Sequence, residues 1–156
     1  MPFVDGDEEV LRRLGAGSVS EAFASIGDAG FRAAEHEVLP TLLARSSGVI
    51  ALGGGTPCVP GAEQILLDAR RRGAVVIWLD ADDATLVERI LRGTDRPRLS
   101  ERDLPEEIRW LRGERQRTYR RLAEIRLDAA AYGIEGASRT IRGWLEDRSG
   151  DLTPPA

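Results

Sequence analysis

The stretch "VIALGGGTP", residues 49–57, directs the reading of the whole chain. The apolar run 48–52 has the character of a strand buried on both faces, and it ends in three consecutive glycines. Strands of that kind belong to parallel sheets covered on both sides. In an open parallel sheet, ligands collect at the carboxyl ends of the strands. Glycines placed there let a ligand approach the backbone closely and leave N–H groups free to donate. A tight turn would need only one of them. The phosphate-loop pattern G-x-x-x-x-G-K-[ST] is absent, and all 22 basic residues are arginine. The other glycine-rich run, "GAGS" at 15–18, follows a helical stretch rather than a strand and has no lysine after it.

Working outward, "AVVIWLD" at 74–80 is the strongest strand, rich in β-branched residues. "PFVD" at 2–5 and "IRLDA" at 125–129 read as two more. Between them fall helical patterns: "EEVLRRLG", stopped by Gly15, then a helix opened by Ser18 with Glu21 three residues on, and running to Gly27. Phe31, Val38, Leu39, Leu42 and Leu43 continue at helical spacing, with Pro40 expected to kink or break the run. Further helices are read at 62–73, at 82–93 with acids in its first turn, and from Pro105 to Leu122. A last helix covers 135–147. "TDRPRLSERDLP" at 94–105 reads as a mobile, arginine-rich loop. The fold class is therefore α/β, a three-layer arrangement with a parallel sheet flanked by helices. One domain over residues 1–148 and a disordered tail over 149–156 are expected.

Composition limits the function. A net charge of −4 gives little support to nucleic-acid binding. No apolar run approaches the ~20 residues of a membrane span. With Cys58 alone there is no internal disulfide and no cysteine zinc cluster. The expected compartment is the cytoplasm.

The strand ends collect the candidates for chemistry. Asp5 and Asp7 follow the first strand, with spacing that suits one carboxylate on a metal's water shell and the other on a substrate hydroxyl. One of them capping the next helix is the alternative. Gly53, Gly54 and Gly55 follow the second strand, and Asp80 the third. Arg32 stands three residues before Glu35, an ion-pair spacing on a helix. Arg115 lies four before Tyr119, and Arg96 and Arg98 flank Pro97 in the loop, where an arginine suits a phosphate clamp. His36 reads as an exposed helix residue and Cys58 as a packing residue.

In combination these pieces resemble the shikimate kinase family. The segments are "PFVDGDEEV", "GSVSEAFASIGDAGFRAAEHEVL", "VIALGGGTP", "VVIWLDADDATLVERI", "RPRL" and "ERQRTYRRLAEIRLDA". They carry D-x-D, F-R-x-x-E, G-G-G, R-P and R-x-x-x-Y in the family's order, from residue 2 to about 146. The resemblance implies a P-loop kinase-like fold and ATP-dependent phosphorylation of the shikimate 3-hydroxyl, in chorismate and aromatic amino-acid biosynthesis. It implies that Asp7 holds the reacting hydroxyl and helps take its proton, with Asp5 near the Mg2+ shell through water. Arg32, oriented by Glu35, and Arg115 would grip the shikimate carboxylate. Phe31, Gly53, Gly54 and Gly55 would line the acceptor pocket. Arg96, on the lid, and Arg89 would serve the nucleotide.

The resemblance also implies an opening unit that this sequence lacks. In the family a strand, a P-loop with its lysine and a helix precede the D-x-D, about 30 residues on the scale of a βαβ element. Here Met1 stands just ahead of Phe3. That strand lies centrally in the family's sheet, between the strands read at 48–52 and 74–79. The flanking strands are expected to close up, leave a gap, or pair with something else. The lid has Arg98 where the family usually has leucine, and "AAAYGIEG" at 129–136 offers no nucleotide-binding arginine. Three readings follow: a kinase whose natural start lies upstream, a shikimate-like acid binder without catalysis, or a half-enzyme needing a partner segment for the missing strand. The chain alone is expected to be weak or inactive.

Overall fold

The computed structural model describes residues 2–45, 48–93, 97 and 99–150. Strand β1 (Phe3–Asp5) runs into α1 (Gly6–Leu14), which is followed by the long α2 (Val19–Arg45). Strand β2 (Val49–Ala51) leads through the glycines to a short 3-10 turn, Thr56–Cys58, and on to α3 (Ala62–Arg71). Then come β3 (Ile77–Asp80), α4 (Asp83–Arg92), α5 (Leu104–Leu122), β4 (Ile125–Asp128) and α6 (Ala129–Gly150).

The strands pair in parallel, as the apolar runs predict. β1 lies against β2 with Val4 opposite Ile50, and β3 against β4 with Trp78 opposite Arg126. The sheet is nevertheless divided. Among the described residues the two pairs form separate two-stranded sheets, and β2 is not hydrogen-bonded to β3. Of the three outcomes expected for the flanking strands, closing up is therefore excluded. The strands are also shorter than their apolar runs. β3 starts at Ile77, although Glu124 N–H donates to Val76 O at 2.9 Å and Val76 packs into the core.

The helix boundaries follow from caps. Asp5, Asp82 and Asp103 each sit just before a helix and accept a backbone N–H from its first turn. Gly15 ends α1 at φ 68°, in the left-handed region where glycine carries no Cβ penalty. The backbone leaves helical geometry inside α2 at Gly27, where φ is 69° and ψ 177°. The break expected at Pro40 is absent: α2 passes through it with helical dihedrals. An interior proline costs a helix about 3 kcal/mol. Leu39, fully buried, and Leu42, largely so, stand beside it, and each gains roughly 1.5–3 kcal/mol by burial, enough to hold the helix together.

A second correction concerns 129–136, read as a loop. It opens α6 directly, because the Asp128 carboxylate accepts from the N–H groups of Ala130 and Ala131 at 2.9 and 3.0 Å. Three alanines then favour the helix, which kinks at Gly133. The expected tail at 149–156 falls almost wholly outside the described residues, as do Arg96 and Arg98 of the loop.

Two apolar clusters set the layers. Leu39 of α2, Ala62 and Leu66 of α3 and Leu122 of α5 form one with Val59. Val10 of α1 packs with Ala22, Phe31 and Ala34 of α2 in the other. The first cluster lies under the glycine turn, since α2, α3 and α5 all contact the 3-10 turn that follows it.

Candidate active site

The site is assembled around Gly53–Gly55, at the carboxyl end of β2. On one side β1 delivers Asp5, whose carboxylate accepts the Asp7 N–H at 2.9 Å and starts α1. The capping alternative for Asp5 therefore holds. Asp7 sits in the first turn with its carboxylate seated on the glycine backbone. A Cβ at Gly53 would stand 2.5 Å from Asp7 Oδ1 and 3.2 Å from both Glu35 Oε1 and Thr56 Oγ1. A side chain there would displace the Asp7 carboxylate.

Arg32 arrives from the second half of α2. Its Nε donates to Asp28 Oδ1 at 3.1 Å and its Nη1 to Glu35 Oε2 at 2.6 Å. The i,i+3 pair expected from the sequence is thus formed. Glu35 is fully buried, and its other oxygen accepts from the Thr56 hydroxyl. A buried carboxylate needs such partners, since an unpaired one would be far too costly to desolvate. The guanidinium also lies 5.6 and 5.8 Å from the ring centres of Phe23 and Phe31. The guanidinium itself lies against the glycines: a Cβ at Gly55 would meet Arg32 Nη1, the nitrogen bonded to Glu35, first, then Cζ at 2.6 Å and Nη2 at 3.0 Å. Phe31, expected to line the pocket, is instead buried in the α1–α2 cluster and acts as a wall behind Arg32.

Arg115 enters from α5. A Cβ at Gly54 would lie 3.4 Å from Arg115 Nη1 and 3.6 Å from the Tyr119 hydroxyl. Tyr119 donates that hydroxyl to Gly54 O, and its ring rests 5.5 Å from Trp78 of β3. Asp7, Arg32 and Arg115 thus converge on one turn, each lying against a different glycine.

Charge is balanced unevenly across it. Burial pushes the Asp7 carboxyl above its ordinary range, with Glu35 and Asp5 adding to the rise and Arg32 opposing it. Desolvation opposes the charge of Arg32, but Glu35 and Asp28 outweigh it and hold the guanidinium firmly protonated. Burial likewise raises the Tyr119 phenol, so it stays a donor. Two cations beside a carboxylate at a partly desolvated turn can hold a small anion and orient a hydroxyl next to it.

Other candidates do not join this turn. Arg89 lies on the exposed face of α4 and donates to Ala129 O at 3.2 Å. Arg96 is outside the described residues. Asp80 is committed to structure: it accepts from Ala81 N–H, from Arg112 and from Arg126 Nε at 2.9 Å. His36 is half-buried rather than exposed, with Nε2 2.9 Å from where a Cβ at Gly61 would lie. Cys58 is half-buried beside the turn, and burial raises its thiol. A shallow cleft at Leu67, Arg70, Arg71, Glu124 and Arg148 lies apart from the site.

Reading residues alone left Thr56 unremarked and gave Asp28 no part. Asp28 had a signal, its i,i+4 spacing to Arg32. The pairing of Thr56 with Glu35 bridges distant parts of the chain and had none.

Comparisons place these features in context. The family model described as shikimate kinase matches residues 1–143. The shikimate kinase of Thiobacillus denitrificans is 32% identical over 151 residues, 97% of this chain and 80% of the relative. That of Mycobacterium avium is 36% identical over 126 residues, 81% of this chain and 68% of the relative. Among solved structures, a shikimate kinase from Acinetobacter baumannii in complex with shikimate superposes with a TM-score of 0.79 at 26% identity. It matches 97% of this chain and 80% of that one. Shikimate kinase from Aquifex aeolicus gives a TM-score of 0.71 at 27% identity, over 97% and 84%.

Proposed function

The chain belongs to the shikimate kinase family, and on that premise we propose that it takes shikimate as phosphoryl acceptor at the 3-hydroxyl. The reaction would serve chorismate and aromatic amino-acid biosynthesis. The observation that carries this reading is the meeting of Asp7, Arg32 and Arg115 over Gly53–Gly55. Arg32, fixed by Asp28 and Glu35, would grip a carboxylate from beside Gly55. Arg115 offers a second guanidinium from the other side of the turn. Two such charge-assisted contacts fix both the position and the rotation of a planar acid. Asp7 then holds a ring hydroxyl and accepts its proton, a task favoured by a carboxyl raised toward working pH.

ATP with Mg2+ supplies the phosphoryl group in such a kinase. The residues described here do not fit that donor half. No lysine is present in the sequence. Among the described residues no group of three His, Cys, Asp or Glu side chains gathers to hold a metal. Asp5 is spent on a helix cap and Arg89 on a backbone carbonyl. No step is therefore assigned to the nucleotide. The chain's own residues provide acceptor binding, orientation and proton removal.

The divided sheet favours a second reading, in which a separate segment completes the kinase by pairing along β2 and β3. Titration calorimetry with shikimate and with its methyl ester tests the acceptor site, and a phosphate-transfer assay with ATP tests turnover. Binding of the acid, at least tenfold tighter than the ester, is expected. A chain that binds neither would overturn the acceptor reading. Turnover by this chain without any added segment would remove the second one.

A further inference from the structure

Two arginines from different helices can clamp one carboxylate only if their separation is fixed to a fraction of an ångström. Arg32 rises from α2 and Arg115 from α5, and both helices contact the turn that follows the glycines. Two hydroxyls make the connection. The Thr56 hydroxyl donates to Glu35, whose other oxygen holds Arg32 Nη1. Thr56 N–H also donates to Gly53 O at 3.1 Å, so the same residue closes the turn. On the opposite side the Tyr119 hydroxyl donates to Gly54 O, one helical turn along from Arg115.

We infer that Thr56 and Tyr119 are positioning residues that set the spacing of the acid clamp, by tying Arg32 and Arg115 to one common glycine turn. The inference rests on the acceptor-site reading above. It assigns these residues no contact with the substrate. Thr56 is buried and faces Glu35. Tyr119 is braced by Trp78 and stays protonated because burial disfavours the phenolate. With either hydroxyl gone, one arginine keeps its charge and loses its frame. The acid should then lose its two-sided grip, while a neutral analogue that never used it should notice little.

The test uses Thr56→Val, Thr56→Ser and Tyr119→Phe in the full chain. Tyr119→Phe keeps the ring on Trp78, so it remains informative if Thr56→Val folds poorly. By calorimetry, Thr56→Val and Tyr119→Phe should each weaken shikimate about tenfold, the scale of one lost hydrogen bond to a charged network. Affinity for the methyl ester should stay within twofold, and Thr56→Ser should recover the acid. Equal losses for acid and ester, or no recovery with serine, would overturn the inference. A ligand-free readout separates it from the acceptor reading. The Arg32 Nη1–H resonance, from the nitrogen held by Glu35, should exchange faster with water in Thr56→Val and recover in Thr56→Ser. If the parent chain binds no acid, the acceptor reading fails while that resonance still decides: an Arg32 signal unmoved by Thr56→Val sinks the positioning role.

Discussion

At Gly55 the missing side chain is filled by someone else's charge. The Arg32 guanidinium occupies the space a Cβ would need, and it is the far end of a flexible side chain rather than backbone. Gly55→Ala should therefore displace Arg32 from both the turn and Glu35. The expected result is at least a tenfold loss of shikimate affinity together with a stability loss of about 1–3 kcal/mol, because the displaced Nη1 is the partner of buried Glu35; calorimetry and urea unfolding read the two. Asp7 gives a pH-dependent counterpart. Its folded-state carboxyl is raised by burial, then by Glu35 and Asp5. A raised acid binds its proton more tightly in the folded state, so stability is complete below the ordinary carboxylate range. It falls as pH rises through that range to the raised value. Asp7→Asn removes this loss. Urea unfolding should find the variant more stable than the parent at neutral pH and equal to it below about pH 4, while shikimate turnover by any completed enzyme disappears. The Arg32–Glu35 pair was legible because helical spacing is local. Thr56 was not, because its partner lies on another element.

Helix α2 shows how the elements aim the site. Its direction changes at Gly27, whose φ of 69° with ψ of 177° is open almost only to glycine. The bend brings Phe23 onto Phe31, 4.7 Å apart, with Arg32 over both rings. Nothing lies within 4 Å of a Cβ built at Gly27, so alanine there meets a backbone penalty alone. Gly27→Ala should cost about 1–3 kcal/mol in urea unfolding and weaken acid binding by misdirecting Arg32. The end of the first helical run at Gly27 could be read from the sequence, as could the stop at Gly15. The break allowed for at Pro40 does not occur, and the buried leucines beside it give the reason. The start of α6 was missed because Asp128 was read as the end of a strand and not as the cap of the helix that follows.

Across the whole molecule the unsatisfied feature is the divided sheet. Val49 of β2 and Leu79 of β3 are 48% and 57% exposed, apolar side chains on strands whose runs suit burial on both faces. Exposed strand positions of this kind promote association between chains. Val49→Lys with Leu79→Lys should reduce self-association in sedimentation velocity, with little loss of stability in the monomer. No helix among the described residues is long and apolar enough to cross a membrane. What the sequence determined by itself was local or repetitive: parallel strands from continuous apolar runs, caps and stops from aspartate and glycine, and the Arg32–Glu35 pair from helical period. Only the tertiary structure decided that Asp7, Arg32 and Arg115 face successive glycines of one turn, that Thr56 and Tyr119 lock that turn, and that the strands pair two by two. Those contacts join residues far apart in the chain, and their formation depends on which layers pack together, which no local spacing encodes.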